Sequence, residues 1–396
     1  MLYRKMKKNG DELSILGYGC MRYPTKNGSI DYKRTEKQVM TAIEKGVNYF
    51  DTAYLYPGSE KTLGKILKNN DCREKVKIAD KMPVLTAKNR EKIDEIFEKQ
   101  LNRLQTNYID YYMIHNLIKF EDWETLKKNG ILNFLDEEKK NGRIINIGFS
   151  FHGNLHNFKK IIDDYDWEFT LIQYNYIDEN YQAGTEGLEY AASKDIGVMI
   201  MEPLRGGMLV DKLPKNARRY MKDFNIKKSP GEWALRWVWN NPDVNVVLSG
   251  MNEEEHIEEN IKAASSTLPN SLKHDEKEML EKVKEEFKSK IKVECTNCAY
   301  CMPCPHNVDI PTCFSSYNDK SVFGGFRPIA MYVNATEDKS AAYKCRECGV
   351  CEKKCPQDIA IMDQLKNVSK SMDHFYFRFL GKVVKFFMYR VITQCH

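Results

Sequence analysis

The stretch Tyr49-Phe50-Asp51-Thr52-Ala53-Tyr54-Leu55-Tyr56 runs a short apolar segment into an acid and then a phenol. Two later runs end in the same way: Val76 to Ala79 leads to Asp80 and Lys81, and Ile109 to Ile114, rich in tyrosine and β-branched residues, leads to His115. An Asp, a Tyr, a Lys and a His presented at the ends of three successive strand-like segments read as one site.

Outward from this stretch one grammar repeats from residue 16 to about 265: a β-rich apolar run, a loop, then an amphipathic helix. The runs are Leu16 to Cys20, Val47 to Asp51, Val76 to Ala79, Tyr108 to Ile114, Ile144 to Phe149, Phe169 to Tyr174, Val198 to Met201 and Val244 to Leu248. Many of the intervening helical patterns open on Ser, Thr, Asp or Asn. Strands alternating with helices imply parallel pairing through right-handed crossovers. Eight such units favour an α/β fold closed as a (β/α)8 TIM barrel, whose functional residues sit at the C-terminal strand ends. Asp51, Lys81, His115, Ser150, Gln173 and Glu202 all fall there. An open dinucleotide-binding sheet would carry Gly-x-Gly-x-x-Gly after its first strand, and Leu16-Gly17-Tyr18-Gly19-Cys20-Met21 does not supply it. Ahead of the first run, residues 2 to 16 read as a β-hairpin cap turning at Asn9-Gly10 through a two-residue loop.

The chain has 396 residues, and 61 basic against 56 acidic side chains leave a formal charge of +5, so no nucleic-acid footprint is indicated. The first residues lack an apolar h-region, no charge-free run approaches membrane-spanning length, and the expected location is cytoplasmic. Of the 12 cysteines, nine crowd between Cys295 and Cys355, which points to metal ligation rather than disulfides. The expected division is a barrel over residues 1–290, including a connector helix near Lys273 to Lys290, a cysteine-rich domain over 291–365, and a terminal helix over 366–396.

Reduction of a ketone or aldehyde needs a hydride donor over one carbonyl face and a proton source for the oxygen. A tyrosine hydroxyl, with a pKa near ~10, is a poor acid unless a cation favours its phenolate. Tyr56 is the candidate acid/base, Lys81 supplies the cation, Asp51 holds the lysine, and His115 donates to the substrate oxygen or relays the proton. In this arrangement Asp51-Thr52-Ala53-x-x-Tyr56, followed by Lys81 and His115, resembles the catalytic tetrad of the aldo-keto reductase family. The resemblance extends through Gly148-Phe149-Ser150, Gln173-Tyr174-Asn175, Glu202-Pro203-Leu204-Arg205-Gly206-Gly207 and Gly250-Met251 to Asn260. It implies NADH or NADPH across the barrel mouth, the carboxamide near Ser150 and Gln173, and phosphates near Leu204, Gly206, Gly250, His256 and Asn260. Two departures stand out. Phe151 replaces the polar residue that often follows the serine, and Gly250 and His256, beside Glu253-Glu254-Glu255, stand where basic residues typically clamp a 2'-phosphate. Three carboxylates would repel that dianion, which favours NADH and leaves room for another nucleotide. Glu202 and Arg205 read equally well as a loop ion pair.

Cys295-x2-Cys298-x2-Cys301-x2-Cys304-Pro305 is followed by Cys345-x2-Cys348-x2-Cys351-x3-Cys355-Pro356. The second run matches the bacterial ferredoxin pattern, in whose two-cluster form the fourth cysteine of each run ligates the other cluster. That predicts one 4Fe-4S cluster on Cys295, Cys298, Cys301 and Cys355 and another on Cys345, Cys348, Cys351 and Cys304. Two self-contained clusters would use the same eight thiolates. Paired Cys-x2-Cys motifs also build zinc ribbons, but eight cysteines in two tight runs closed by Cys-Pro favour iron–sulfur. Cys313, Cys20, Cys72 and Cys395 read as buried thiols. The module resembles the ferredoxin-like two-cluster domain fused to a subset of aldo-keto reductases. A nicotinamide delivers two electrons as hydride and a cluster accepts one, so direct exchange needs a flavin or another converter. The alternative to carbonyl chemistry on a small substrate is therefore an electron-transfer or redox-sensing protein whose barrel holds a flavin or a redox partner protein.

From Phe375 to Ile392 the apolar residues share a helix with Arg378, Lys382, Lys385 and Arg390. A basic amphipathic helix can lie on a membrane surface; packing against the barrel or a sister subunit is the favoured reading.

Overall fold

The computed structural model describes residues 1–374 except 296, 298, 337, 338 and 356. Of the terminal helix expected over 366–396, residues 366–372 belong to a helix that begins at Ile361, while 375–396, with Cys395, and Cys298 lie outside the described residues.

Eight parallel strands close into a barrel: β1 (Leu16–Gly19), β2 (Tyr49–Asp51), β3 (Lys77–Pro83), β4 (Ile109–Leu117), β5 (Ile144–Phe151), β6 (Phe169–Gln173), β7 (Gly197–Met201) and β8 (Val244–Ser249). Each pairs with its sequence neighbours, and β8 closes on β1 through Val247 opposite Leu16 and Ser249 opposite Tyr18. All eight expected strands are present in the expected order.

The two-residue period of a strand sorts every side chain. Tyr49, Ala79, Tyr111, Met113, Phe169, Leu171, Met199, Val246 and Leu248 form one buried cluster that fills the barrel, with Met6 and Leu13 from the N-terminal hairpin packed on it. Alternate residues such as Phe50, Ile78, Ile114, Phe149 and Val247 join the larger cluster between sheet and helices. Continuing the inward series by two positions from Tyr49, Ala79, Met113 and Leu171 reaches Asp51, Lys81, His115 and Gln173. The residues that fill the barrel thus fix which residues line its mouth.

The surrounding helices start where capping predicts. Asp31, Asn89, Asn154 and Ser229 accept from the backbone N–H groups of Arg34, Lys92, Asn157 and Glu232, opening the helices Tyr32–Glu44, Arg90–Leu104, Leu155–Asp164 and Pro230–Trp239. The hairpin pairs Tyr3–Lys5 with Glu12–Ser14, but its turn is wider than the two residues expected. Met6 N–H bonds Asp11 C=O and Gly10 N–H bonds Met6 C=O, so positive φ is needed at Gly10 but not at Asn9.

The described residues divide into two compact units, 1–210 with 226–277, and 211–225 with those from 278 to 374. Residues 211–225 and 278–290, which the sequence reading attached to the barrel, group with the second unit. In that unit helices Ile310–Phe323, Arg327–Thr336 and Ile361–Met372 surround a core of Val308, Ile310, Phe314, Ile329, Leu365 and Val368 that also takes in Cys301, Cys313 and Cys351. Among the described residues no helix is long and apolar enough to cross a membrane.

Candidate active site and cysteine centre

At the C-terminal mouth of the barrel Lys81 is 1% exposed and Asp51 4%. The Lys81 ammonium donates to Asp51 Oδ1 at 2.5 Å and to the Thr52 carbonyl at 2.6 Å. Its Nζ also lies 5.0 Å from the centre of the Tyr56 ring. The opposing charges of Asp51 and Tyr56 outweigh the cost of burial and hold the ammonium above its ordinary range. A buried ammonium with this set of partners is protonated at neutral pH. Burial pushes the Tyr56 hydroxyl above its ordinary value, and Lys81 pulls against that rise.

Tyr56 belongs to the loop after β2, and local hydrogen bonds fix that loop. Thr52 N–H bonds Ala79 C=O, Tyr56 N–H bonds Ala53 C=O, and Ser59 N–H bonds Tyr56 C=O. The Thr52 and Ser59 hydroxyls meet at 2.8 Å, and Gly58 turns into the helix Ser59–Asn69 with φ of 74°. His115 stands edge-on to Tyr56, ring centres 6.0 Å apart at 87°. Burial, then Lys81 and His152, lower its imidazole to about 3, so it is neutral across the physiological range. Its Nδ1 is buried with no hydrogen-bond partner.

Ser150 and Gln173 are buried beside this group. Ser150 Oγ accepts from Asn116 N–H at 2.7 Å, which leaves its own proton to donate. Phe151, the departure noted in the sequence, faces the helix layer 5.1 Å from Phe158. The Arg205 guanidinium pairs with Asp178: its Nε donates to Asp178 Oδ2 at 2.8 Å, and Asn175 reaches the same oxygen at 2.9 Å; with Glu202 the shared bond is from Arg205 N–H to the Glu202 carbonyl. Leu204 and Gly206 lie in a tight turn after β7, where Arg205, Gly206 and Gly207 all have positive φ. After β8, Asn260 donates to Ser249 Oγ at 3.0 Å, Gly250 abuts the end of β1 at Gly19, and His256 is exposed. The nicotinamide preference drawn from Glu253-Glu254-Glu255 needs correction. Arg34 pairs with both Glu253 and Glu254, bridging Glu254 by its Nε and Nη2, and drives the Glu254 carboxyl down to about 2. Two of the three charges counted as repulsive are compensated, so the argument for NADH over NADPH falls away.

The two cysteine runs are built alike. Asn297 and Ala299 in the first and Glu347 and Gly349 in the second have φ of 58°, 60°, 53° and 73°, and Asn307 and Asp358, each three residues past the last cysteine of its run, have 59° and 51°. Helices beginning at Ile310 and Ile361 follow. One pocket is lined by Cys295 and Cys301 of the first run, Cys355 of the second, and Ile310, Pro311, Phe314, Ile359 and Ile361. Among the described residues that lining holds no carboxylate or imidazole; three thiols stand in an otherwise largely apolar wall with Gln357 at its side, a donor set that suits an iron–sulfur cluster. Among Cys345's neighbours is Cys304, which adds to the upward push of burial on that thiol, and Cys345 Sγ accepts from Glu347 N–H at 3.5 Å. Cys355, the fourth cysteine of its run, thus lines a pocket with two cysteines of the other run. Cys351 is buried and Cys348 exposed, while Cys313 is buried with Sγ directed at Ser340 C=O. Cys20 and Cys72 are buried.

Sequence reasoning missed Arg34, Asp178 and a buried group around Asp80. Only Asp80 left a local signal, a charge between Ile78 and Met82 on the face of β3 that should be apolar. The partners of Arg34 and Asp178 come from other elements.

Residues 15–283 match the aldo/keto reductase family and residues 294–360 a 4Fe-4S dicluster domain. The chain belongs to the aldo/keto reductase family, in the form that carries a fused iron–sulfur module, and is an oxidoreductase with 4Fe-4S chemistry. Among curated relatives, an uncharacterized oxidoreductase YrpG of Bacillus subtilis is 25% identical over 69% of this chain and 94% of its own length. The L-galactose dehydrogenase of Arabidopsis thaliana is 26% identical over 66% and 88%. In fold the barrel is similar to the holo form of an aldo-keto reductase from Bacillus halodurans, at TM-score 0.58 and 23% identity over 72% of this chain and 96% of that one. An aldo-keto reductase from Klebsiella pneumoniae, solved with NADPH, gives TM-score 0.58 at 18% identity over 72% and 95%.

Proposed function

We propose that the barrel interconverts a small carbonyl compound and its alcohol with NADH or NADPH, Tyr56 serving as general acid/base. The observation that carries this reading is the buried Lys81 ammonium, locked between Asp51 and the Thr52 carbonyl and facing Tyr56. A bound nicotinamide supplies the hydride. Lys81 stabilises the phenolate left when Tyr56 gives its proton to the substrate oxygen, and Asp51 keeps the ammonium from drifting. Neutral His115 donates a hydrogen bond to that oxygen from Nε2 without competing for the proton. Ser150 and Gln173 hold the carboxamide; the turn at Leu204 and Gly206, with Gly250, His256 and Asn260, receives the phosphates. The module near residues 291–365 holds two 4Fe-4S clusters on Cys295, Cys298, Cys301 and Cys355 and on Cys345, Cys348, Cys351 and Cys304, in a cytoplasmic, thiol-reducing setting.

Anaerobically purified protein with intact clusters should oxidise NADH or NADPH against a panel of aldehydes and ketones. Tyr56→Phe should lose turnover by about 10²–10⁴-fold, the span of general acid–base contributions, while binding of the dinucleotide survives. Unchanged turnover in that variant overturns the assignment. Exposure of Cys348 supports a second reading, electron exchange with a partner at the protein surface; clusters that become reduced by NAD(P)H within a turnover would favour it, and clusters that stay oxidised would exclude it.

A further inference from the structure

Behind Lys81, on the opposite side of β3 from the barrel mouth, lies a buried polar group that the mechanism above does not use. Asp80 is fully buried and Glu60, from the helix Ser59–Asn69, is 2% exposed. Arg103, from the helix Arg90–Leu104, donates to Glu60 Oε2 at 2.8 Å. Asp80 Oδ1 accepts the backbone N–H of Lys81 at 2.8 Å. On the other side of the same residue, Gln100 Nε2 donates to the Lys81 carbonyl at 3.1 Å, and Gln100 Oε1 accepts from Tyr112 at 2.7 Å. Two oxygens remain without any donor, Asp80 Oδ2 and Glu60 Oε1, although both are buried.

Asp80 and Glu60 lie within hydrogen-bonding reach of each other; two buried carboxylates in contact repel, and each orphaned oxygen costs a desolvation penalty. One proton removes both problems by converting the contact into an O–H···O⁻ hydrogen bond. Geometry says which acid holds it. Glu60 has the Arg103 guanidinium on its other oxygen and stays anionic. Asp80 has no cation on Oδ2, because the adjacent lysine side chain points the other way, into the barrel. Burial and Glu60 also push the Asp80 carboxyl well above its usual range.

We propose that Asp80 is a protonated carboxylic acid that donates to Glu60, and that Asp80, Glu60 and Gln100 together clamp the peptide groups of Lys81, acting as positioning residues for its ammonium. The clamp fixes N–H and C=O of the one residue whose side chain must sit between Asp51 and Tyr56. Misplacement of a catalytic group by about 1 Å can cost about a hundredfold in rate.

The protonation half is tested on the full chain without any assay of turnover; only the positioning half rests on the reading under Proposed function. Infrared difference spectra of wild type minus Asp80→Asn at neutral pH should contain a deuterium-sensitive carbonyl band of a buried carboxylic acid. Loss of a carboxylate band in its place overturns the proposal. In turnover, Asp80→Asn keeps the acceptor for Lys81 N–H and a donor for Glu60, so kcat should stay within about twofold. Asp80→Leu removes both; kcat should fall by about a hundredfold with KM for the dinucleotide nearly unchanged, and the alkaline limb of the pH profile set by Tyr56 should move up. Gln100→Met, which leaves both acids in place and removes the donor to the Lys81 carbonyl, should move kcat and the limb in the same direction and keeps the test open if Asp80→Leu does not fold. Equal loss in Asp80→Asn and Asp80→Leu, or a fall in kcat with an unmoved limb, would sink the positioning role. If wild type itself shows no nicotinamide-dependent turnover, the functional reading fails while the infrared result still stands on its own.

Discussion

Replacing Lys81 with methionine keeps most of the side-chain volume and removes the charge, which isolates what the ammonium does for the barrel. Asp51 would remain buried, with Oδ2 already lacking a partner and Oδ1 newly deprived of one. Breaking a buried pair in this way typically costs about 3–5 kcal/mol. Protonation caps the loss. With an ordinary value of 3.8 for Asp51, pH 7 lies about 3 units higher, and at about 1.36 kcal/mol per unit taking up a proton costs about 4 kcal/mol. The sign of the pH dependence follows from a folded-state pKa raised far above the unfolded one: the protonated carboxyl favours the fold at low pH, and that contribution is lost as pH rises. Lys81→Met should therefore be about 4 kcal/mol less stable than wild type near pH 7, and the gap should close by about 1.4 kcal/mol per unit as pH falls toward 4. All five tryptophans, Trp123, Trp167, Trp233, Trp237 and Trp239, belong to the barrel unit, so urea unfolding followed by tryptophan fluorescence reads that unit alone. The double variant Asp51→Asn with Lys81→Met should recover most of the loss. A gap independent of pH between 4.5 and 7.5, or a double variant no better than the single one, would refute the reasoning.

Because burial and Lys81 lower His115 to about 3, the pH profile of kcat/KM should show no inflection from this residue between pH 5 and 8; an inflection in that window that disappears in His115→Gln would show the imidazole titrating. Arg34→Ala should free Glu253 and Glu254 and weaken NADPH binding more than NADH binding, by a factor that shrinks with added salt; equal changes in the two dissociation constants would remove the pair from cofactor choice. Cys355→Ser and Cys304→Ser should each lower iron content by about half and each remove the cluster of the opposite run, as followed by paramagnetic NMR of the neighbouring cysteines; loss of the cluster of their own run would establish self-contained sites.

The repeated run of strand, loop and helix was sufficient to specify the barrel, because a period of two and a period of 3.6 leave different marks on a linear chain. The ends of the same runs placed Asp51, Lys81, His115, Ser150, Gln173 and Glu202 at the C-terminal ends of strands, and the spacing of eight cysteines marked the metal module. These properties are local, written within a few residues of the position they describe. What only the tertiary structure decided depends on groups distant in sequence. Arg34 reaches Glu254 across 220 positions and cancels charges that look unopposed along the chain. Arg205 pairs with Asp178, 27 positions away along the chain. Cys355 lines one pocket with Cys295 and Cys301, which stand far from it along the chain. Asp80, one residue from Lys81, becomes intelligible only when Glu60, Arg103 and Gln100 arrive from two helices. Sequence determines which side of a strand a group occupies; the charge and protonation it carries there are set by neighbours that only folding assembles.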